Sequence, residues 1–243
     1  MSEEITKEEP QVEEAPVDTA EEKPGVKKGK KKFAVIGIVA AVVIVAGAGF
    51  YAWHEQPSFC SSICHYSMDA YLPTYESQLG SEGVDKWGNT VADSSAMLAP
   101  VHREQGITCL GCHTPVISEQ LTEGMEWVSG NYTVVSTTDG KFALEERDLS
   151  DLTEASGVAN EEFCLKSGCH VNDDGSVMTR DDLVEKTSNY SRNPHVQQHG
   201  EVACSECHKA HRASTVYCGK CHSDVEYPSG WVTYAESQNL AEN

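Results

Sequence analysis

Little in this sequence could build an ordinary hydrophobic core: 39% of its 243 residues are hydrophobic, 7% are aromatic and only five are phenylalanine. It lacks a glycine-rich dinucleotide fingerprint, which argues against a nicotinamide- or flavin-binding domain within the chain. It shows no catalytic triad or activated nucleophile, so nothing marks a site for an organic substrate. Basic residues are scarce, 18 Lys and Arg against 38 Asp and Glu, for a formal net charge of -20. That balance excludes nucleic acid as a partner and favours a positively charged protein surface.

No cysteine is left over either. All ten fall into five pairs, each followed at once by a histidine: Cys60/Cys64/His65, Cys109/Cys112/His113, Cys164/Cys169/His170, Cys204/Cys207/His208 and Cys218/Cys221/His222. Three have the C-x-x-C-H spacing of covalent haem attachment; CSSICH and CLKSGCH carry one and two extra residues. The spacing has a mechanical reason. Two neighbouring thiols add to the two vinyl groups of one haem, and the next imidazole is then held beneath the iron as its proximal ligand. Zinc ribbons and disulfide frameworks also pair cysteines, but neither requires a histidine after every second one. The expectation is five covalent haem c groups, which supply much of the apolar interior that the chain lacks. The expected fold class follows: mostly irregular with short α-helices, a multihaem cytochrome c fold around stacked haems, one N-terminal transmembrane helix and a small β-hairpin insertion.

Composition divides the chain. Residues 1–32 are Glu-, Lys- and Pro-rich, without aromatic residues or apolar periodicity, and read as a disordered cytoplasmic tail. Phe33 to Trp53 then contains 21 residues without a charge; at about 1.5 Å per residue it spans a bilayer core of about 30 Å. The preceding KKGKKK places the N-terminus in the cytoplasm, and Tyr51 and Trp53 suit the far interface. Ala46-Gly47-Ala48 resembles a signal-peptide cleavage site, but the apolar run exceeds a usual signal core, which favours a retained single-pass anchor in the cell membrane. Residues 54–94 form a membrane-proximal segment with one haem, and 95–226 a tetrahaem domain outside the cytoplasm. An insertion, 114–163, holds two alternating arms around a Thr-Asp-Gly turn and predicts the β-hairpin. Residues 227–243 read as a polar tail.

Ten histidines serve five motifs, leaving His54, His102, His195, His199 and His211, one per haem. Such a balance favours bis-histidine ligation and low potentials. His102 and His211 each lie seven residues before a motif's first cysteine and eleven before its histidine. The repeated unit predicts the pairs His102 with His113 and His211 with His222, while His195 and His199 divide between His170 and His208. For the first haem the sixth position stays open among Met68, His54 and no protein ligand; a thioether there raises the potential.

The run NPHVQQHGEVACSECHKAHRASTVYCGKCHSD, Asn193 to Asp224, resembles the tetrahaem domain of flavocytochrome c fumarate reductases and related small tetrahaem cytochromes, as does HREQGITCLGCH upstream. The resemblance implies His195 for His170 and His199 for His208. It departs in three places: the family spaces its histidines as H-x-x-H, whereas His195 and His199 are four apart, the insertion 114–163 is longer than the family pattern, and CLKSGCH is long. The N-terminal part, a single apolar helix followed by a haem motif and a methionine, is similar to the NapC/NirT/NrfH quinol dehydrogenases. Those have C-x-x-C-H-x-M; CSSICHYSM has one extra residue in each gap, so methionine ligation does not transfer directly.

Together these resemblances imply a conduit in anaerobic respiration: a membrane quinol, expected to be menaquinol, reduces the first haem, with His54, Glu55 and Asp69 as candidate proton acceptors. The tetrahaem part then passes electrons to a separate extracytoplasmic flavoprotein reductase. Membrane lipid is the other partner. The chain is expected to be an electron carrier, not itself the substrate reductase. Three other readings share the motifs: the quinol-oxidising subunit of a nitrite-type haem reductase, a terminal reductase using an open first haem, and a haem-based sensor, which the lack of an output domain disfavours. Intact mass and haem staining of the purified protein are expected to count five haems; any smaller number breaks the reading of all five motifs.

Overall fold

A computed structural model describes residues 28–63, 68–131, 136–138, 141–143 and 148–240, by backbone alone at 28–31, 136–138 and 141–143. The chain divides into two units, Met1–Gly47 and Ala48–Asn243. The disordered tail expected over 1–32 lies outside the described residues up to 27, while Lys28–Lys32 begin a helix. This helix, α1 (Lys28–His54), is the one described helix long and apolar enough to cross a membrane, by length and composition. Its side chains are exposed all round, Phe33 at 76% and Val45 at 71%. A helix apolar on every face, with no protein around it, suits a lipid environment.

Within the second unit regular structure is short, as the composition leads one to expect. The helices are α2 (Pro57–Ile63), α3 (Leu72–Glu76), α4 (Leu98–Glu104), α5 (Ile117–Ser129), α6 (Leu149–Ser156), α7 (Asn160–Cys164), α8 (Arg180–Lys186), α9 (Cys204–Cys207) and α10 (Tyr234–Asn239). Short 3-10 turns occupy Ser94–Ala96, Cys109–Gly111 and Tyr217–Lys220. Three helix starts carry reciprocal capping boxes: Asp148 with Asp151, Thr179 with Asp182 and Thr233 with Glu236. Each pairs an acceptor side chain before the helix with a carboxylate three residues on, which satisfies backbone N–H groups that the first turn leaves bare.

The strands are two antiparallel pairs. β1 (Gly83–Val84) pairs with β2 (Thr90–Val91), Gly83 opposite Val91. The buried carboxylate of Asp85 closes that turn, accepting the N–H groups of Trp87 and Asn89 at 2.9 and 2.8 Å. β3 (Ser136–Thr138) and β4 (Lys141–Ala143) pair with Thr138 opposite Lys141, the hairpin predicted around the Thr-Asp-Gly turn, whose Asp139 and Gly140 lie outside the described residues. Before the hairpin, α5 exposes an apolar stripe, Ile117, Leu121, Met125 and Val128, between 67% and 74% open to solvent.

What holds the second unit together is backbone pairing more than oil. Its core cluster is Val91, Ala96, Met97 and Ala213, with Trp231 and Val232 against it. Residues 207–216 thread through the middle. Leu98 and Ala99 donate to the carbonyls of Lys209 and Ala210 at 2.9 and 3.0 Å, Lys86 donates to His211 at 2.8 Å, and Ser214 donates to Ala96 at 2.9 Å. Val232 in turn donates to Ser214 at 3.0 Å. The stretch after Tyr227, read from the sequence as a polar tail, therefore carries part of the core and α10. The 54–94 stretch, read as a separable segment, is tied in by Tyr75, whose hydroxyl donates to the Ile107 carbonyl at 2.9 Å.

Gly230 packs closely against the backbone of another segment. Its φ is +76°, and a Cβ there would meet the backbone oxygen of Asp93 at 2.7 Å. Gly106 has a similar φ of +78° but open space around it. Gly230→Ala is therefore expected to destabilise the haem-loaded protein by more than the 1–3 kcal/mol, roughly, of a left-handed backbone alone, and Gly106→Ala by about 1 kcal/mol. Thermal unfolding of both variants checks this; equal losses would mean that Asp93 gives way.

Candidate haem sites

The three standard attachment motifs are each folded as a single turn. In each, the histidine N–H returns to the carbonyl of the first cysteine: His113 to Cys109 at 2.9 Å, His208 to Cys204 at 2.9 Å and His222 to Cys218 at 3.0 Å. This turn gathers two thiols and an imidazole within one helical step, the local geometry that attachment needs. In the third motif Cys164 ends α7, and the two extra residues form a loop in which Cys169 donates to Lys166 at 3.0 Å. Gly168 turns there with φ of +80°. None of the described cysteines is joined in a disulfide. Burial pushes the thiols of Cys109, Cys112 and Cys207 up, keeping them protonated.

The histidines meet in four pairs. His113 faces His211 with ring centroids 6.4 Å apart, His102 faces His170 at 6.1 Å, His195 faces His208 at 6.4 Å and His199 faces His222 at 6.1 Å. Two imidazoles bound to opposite faces of one iron, each by a bond of about 2 Å, have centroids roughly 6 Å apart. All four pairs fit that requirement. Every pair also combines one motif histidine with one spare histidine, the composition that bis-histidine ligation demands.

The partners differ from those predicted. His102 faces His170 rather than His113, His211 faces His113 rather than His222, His195 faces His208 rather than His170, and His199 faces His222 rather than His208. The repeated spacing of His102 and His211 before their motifs misleads because neither folds back over its own motif. α4 points His102 toward the third motif. His211 follows His208, whose backbone is extended at φ -84° and ψ 119°. The chain then bends at Ala210–Arg212, and Thr215 donates back to the Cys207 carbonyl at 3.0 Å, a loop that carries His211 away from the site of His208.

Three of the spare histidines are fixed in one tautomer. His102 Nδ1 lies 2.8 Å from the Leu98 carbonyl, which can only accept, so Nδ1 carries the proton. Thr74 Oγ1 donates to the Tyr71 carbonyl at 2.7 Å and accepts the Nδ1–H of His211 at 2.7 Å. Thr187 repeats the device, donating to the Leu183 carbonyl at 2.7 Å and accepting from His195 Nδ1 at 2.9 Å. In each case Nε2 is left bare, as a metal ligand must be. Burial also holds the rings neutral: His211 is pushed down to about 3, and His208 to about 4, with neighbouring histidines adding to the effect. The threonines were not among the predicted site residues. Thr187 is eight residues from its histidine and Thr74 is 137 away, so no local motif marks either.

The first motif is only partly visible. Cys60 lies in α2, whereas Cys64 and His65 lie outside the described residues. Met68 is half-buried, and its carbonyl accepts the Tyr71 N–H at 3.0 Å. His54 ends α1 beside Phe59, ring centroids 4.8 Å apart, with Nδ1 3.9 Å from Glu55 Oε1. Phe50, Trp53 and Phe59 contact one another edge to face around it at 5.0–6.4 Å. Asp69 is exposed.

The model of the family Cytochrome c3 matches residues 149–223, which hold the third, fourth and fifth motifs. The cytochrome c-type protein Cgr1 of Eggerthella lenta is 56% identical over 207 residues, covering 85% of this chain and 89% of that protein. No solved structure matches.

The facing pairs make a sharp prediction. His211→Ala should leave the haem count unchanged and produce one high-spin haem in the electron paramagnetic resonance (EPR) spectrum. That signal should vanish when Cys109 and Cys112 are also replaced by alanine, and persist when Cys218 and Cys221 are replaced instead. The opposite outcome would restore the pairing of His211 with His222.

Proposed function

Since the chain belongs to the c-type cytochrome family of Cgr1 and so carries covalent haem c, we propose that it is a five-haem, membrane-anchored carrier. It takes electrons from a membrane quinol at its first motif and delivers them to an extracytoplasmic flavin-dependent reductase. The observation that carries the electron-transfer reading is the set of four imidazole pairs, each 6.1–6.4 Å apart. Iron held by two imidazoles has no free coordination position for a substrate, which suits passing electrons on and not binding what is reduced.

When bound, the haems supply one-electron chemistry between ferric and ferrous iron. The protein's own share is to hold the ligands. Cys109, Cys112, Cys164, Cys169, Cys204, Cys207, Cys218 and Cys221 would hold four haems covalently, and Cys60 and Cys64 a fifth. His102, His113, His170, His195, His199, His208, His211 and His222 would ligate four irons; His65, with Met68 or His54, would serve the fifth. The sites adjoin one another. Cys164 and Cys204, first cysteines of the third and fourth motifs, are neighbours. Tyr217, just before Cys218, donates its N–H to Cys207 Sγ at 3.3 Å.

A quinol gives up two protons with its two electrons, so its site needs acceptors. His54 and Glu55 stand where the apolar part of α1 ends, beside the aromatic group of Phe50, Trp53 and Phe59. That placement supports a quinol headgroup at the interface, with His54 taking the first proton. Delivery to a flavoprotein rests on the tetrahaem motifs and on this chain having no dinucleotide fingerprint of its own.

Purified protein in detergent is expected to be reduced by a menaquinol analogue. Replacing His65 and Met68 together should abolish that reduction while dithionite still reduces the other haems. A parent protein that the analogue leaves oxidised would sink the quinol reading.

A further inference from the structure

The imidazole facing His113 is seated by residues from a distant part of the chain. Thr74 is wholly buried on α3, and Tyr71 stands at the start of that helix, three residues after Met68. The Tyr71 ring meets His211 edge to face with centroids 5.1 Å apart. Tyr71 N–H bonds the Met68 carbonyl at 3.0 Å, Thr74 Oγ1 bonds the Tyr71 carbonyl at 2.7 Å, and His211 bonds Thr74 at 2.7 Å. One unbroken run of contacts therefore joins the segment following the first motif to the ring that faces His113.

We infer that Thr74 is a positioning residue that lowers the redox potential of the site at His113 and His211, and that this site is where electrons leave the membrane-proximal segment for the rest of the chain. Thr74's single proton is committed to the Tyr71 carbonyl, so its oxygen can only accept from His211. An imidazole that gives its Nδ1–H to an acceptor becomes a stronger donor through Nε2, which stabilises the more highly charged ferric iron. Because Thr74 is buried, water cannot take over the hydrogen bond when the hydroxyl is removed. A haem held at the first motif would give one electron to a haem held by His113 and His211, so that one iron would be oxidised as the other is reduced, and no bond or proton would change hands. The direction of transfer rests on the quinol reading above; the role of Thr74 and the adjacency of the two sites do not.

The test uses the full haem-loaded chain, titrated electrochemically and followed by EPR, without quinol or partner. Thr74→Val should move one midpoint upward and alter one set of low-spin signals. Thr74→Ser should restore both, and Thr187→Val, at the His195 site, should move a different midpoint. With Cys60 and Cys64 both replaced by alanine, the midpoint that answers to Thr74 should shift, since its charged neighbour is gone, while the one that answers to Thr187 stays. The role of Thr74 is overturned if T74V leaves every midpoint in place, moves all of them together, or is matched by T74S. The entry assignment is overturned if losing the first haem moves the Thr187 midpoint and spares the other. A protein that passes these tests but is not reduced by a quinol analogue would reject only the quinol reading.

Discussion

Everything in the second unit answers to one requirement, that two imidazoles face each other across about 6 Å with bare nitrogens turned inward. Three motif histidines, His113, His208 and His222, are placed locally, by a turn whose hydrogen bond runs back to the first cysteine, and His170 follows a longer loop. The other histidine of each pair has no such local device. It is held by the tertiary fold: a helix for His102, the 207–216 strap for His211, and the Thr187 and Asn193 hydrogen bonds for His195. The hydroxyl and carbonyl acceptors at Nδ1 do two things at once. They fix the ring's direction, and they choose the tautomer whose Nε2 can bind iron.

That requirement also accounts for the unusual interior. A fold built to enclose large flat cofactors need not bring its own side chains into one oil drop, and the central cluster here is small, with Met97 its only large aliphatic member. Polar residues take up buried positions beside it: Thr74, Asp85, Ser214 and Thr215. Asp85 is satisfied by the turn it closes, and Thr74 by a histidine and a carbonyl. Buried polar groups tie segments together only when they are paired, and Thr74 does so across the greatest separation, through His211, while Asp85 pairs within its own turn.

How much of this was legible in the sequence depends on the range of each interaction. The attachment turns could be read because two thiols and an imidazole must sit within one helical step, and the capping boxes and the hairpin because three or four residues decide them. The ten histidines could be counted into five motif and five spare residues for the same reason. Which spare histidine meets which motif could not be read, because the answer lies in how 207–216 threads between Lys86, Leu98 and Ser214's partner Val232. Spacing suggested that His102 and His211 play equivalent parts. In the fold one rides a helix and the other a bend in the 207–216 loop, and the equivalence disappears.

The same division of range bears on how such a protein is assembled. Covalent attachment needs only a five-residue turn, so it can proceed on a chain that has not yet folded. The second ligands cannot be placed until distant segments meet: His211 reaches the His113 site only when the end of the chain has returned across α3 and α4, and His102 reaches the His170 site from before the second motif. Chain closure across such separations is favoured only when several contacts form together. A fold of this kind should therefore become rigid in one cooperative step, after the haems are attached. Each haem is then a covalent fixture first and a part of the core second, which is why the chain can be so poor in hydrophobic residues and still close around its ligands.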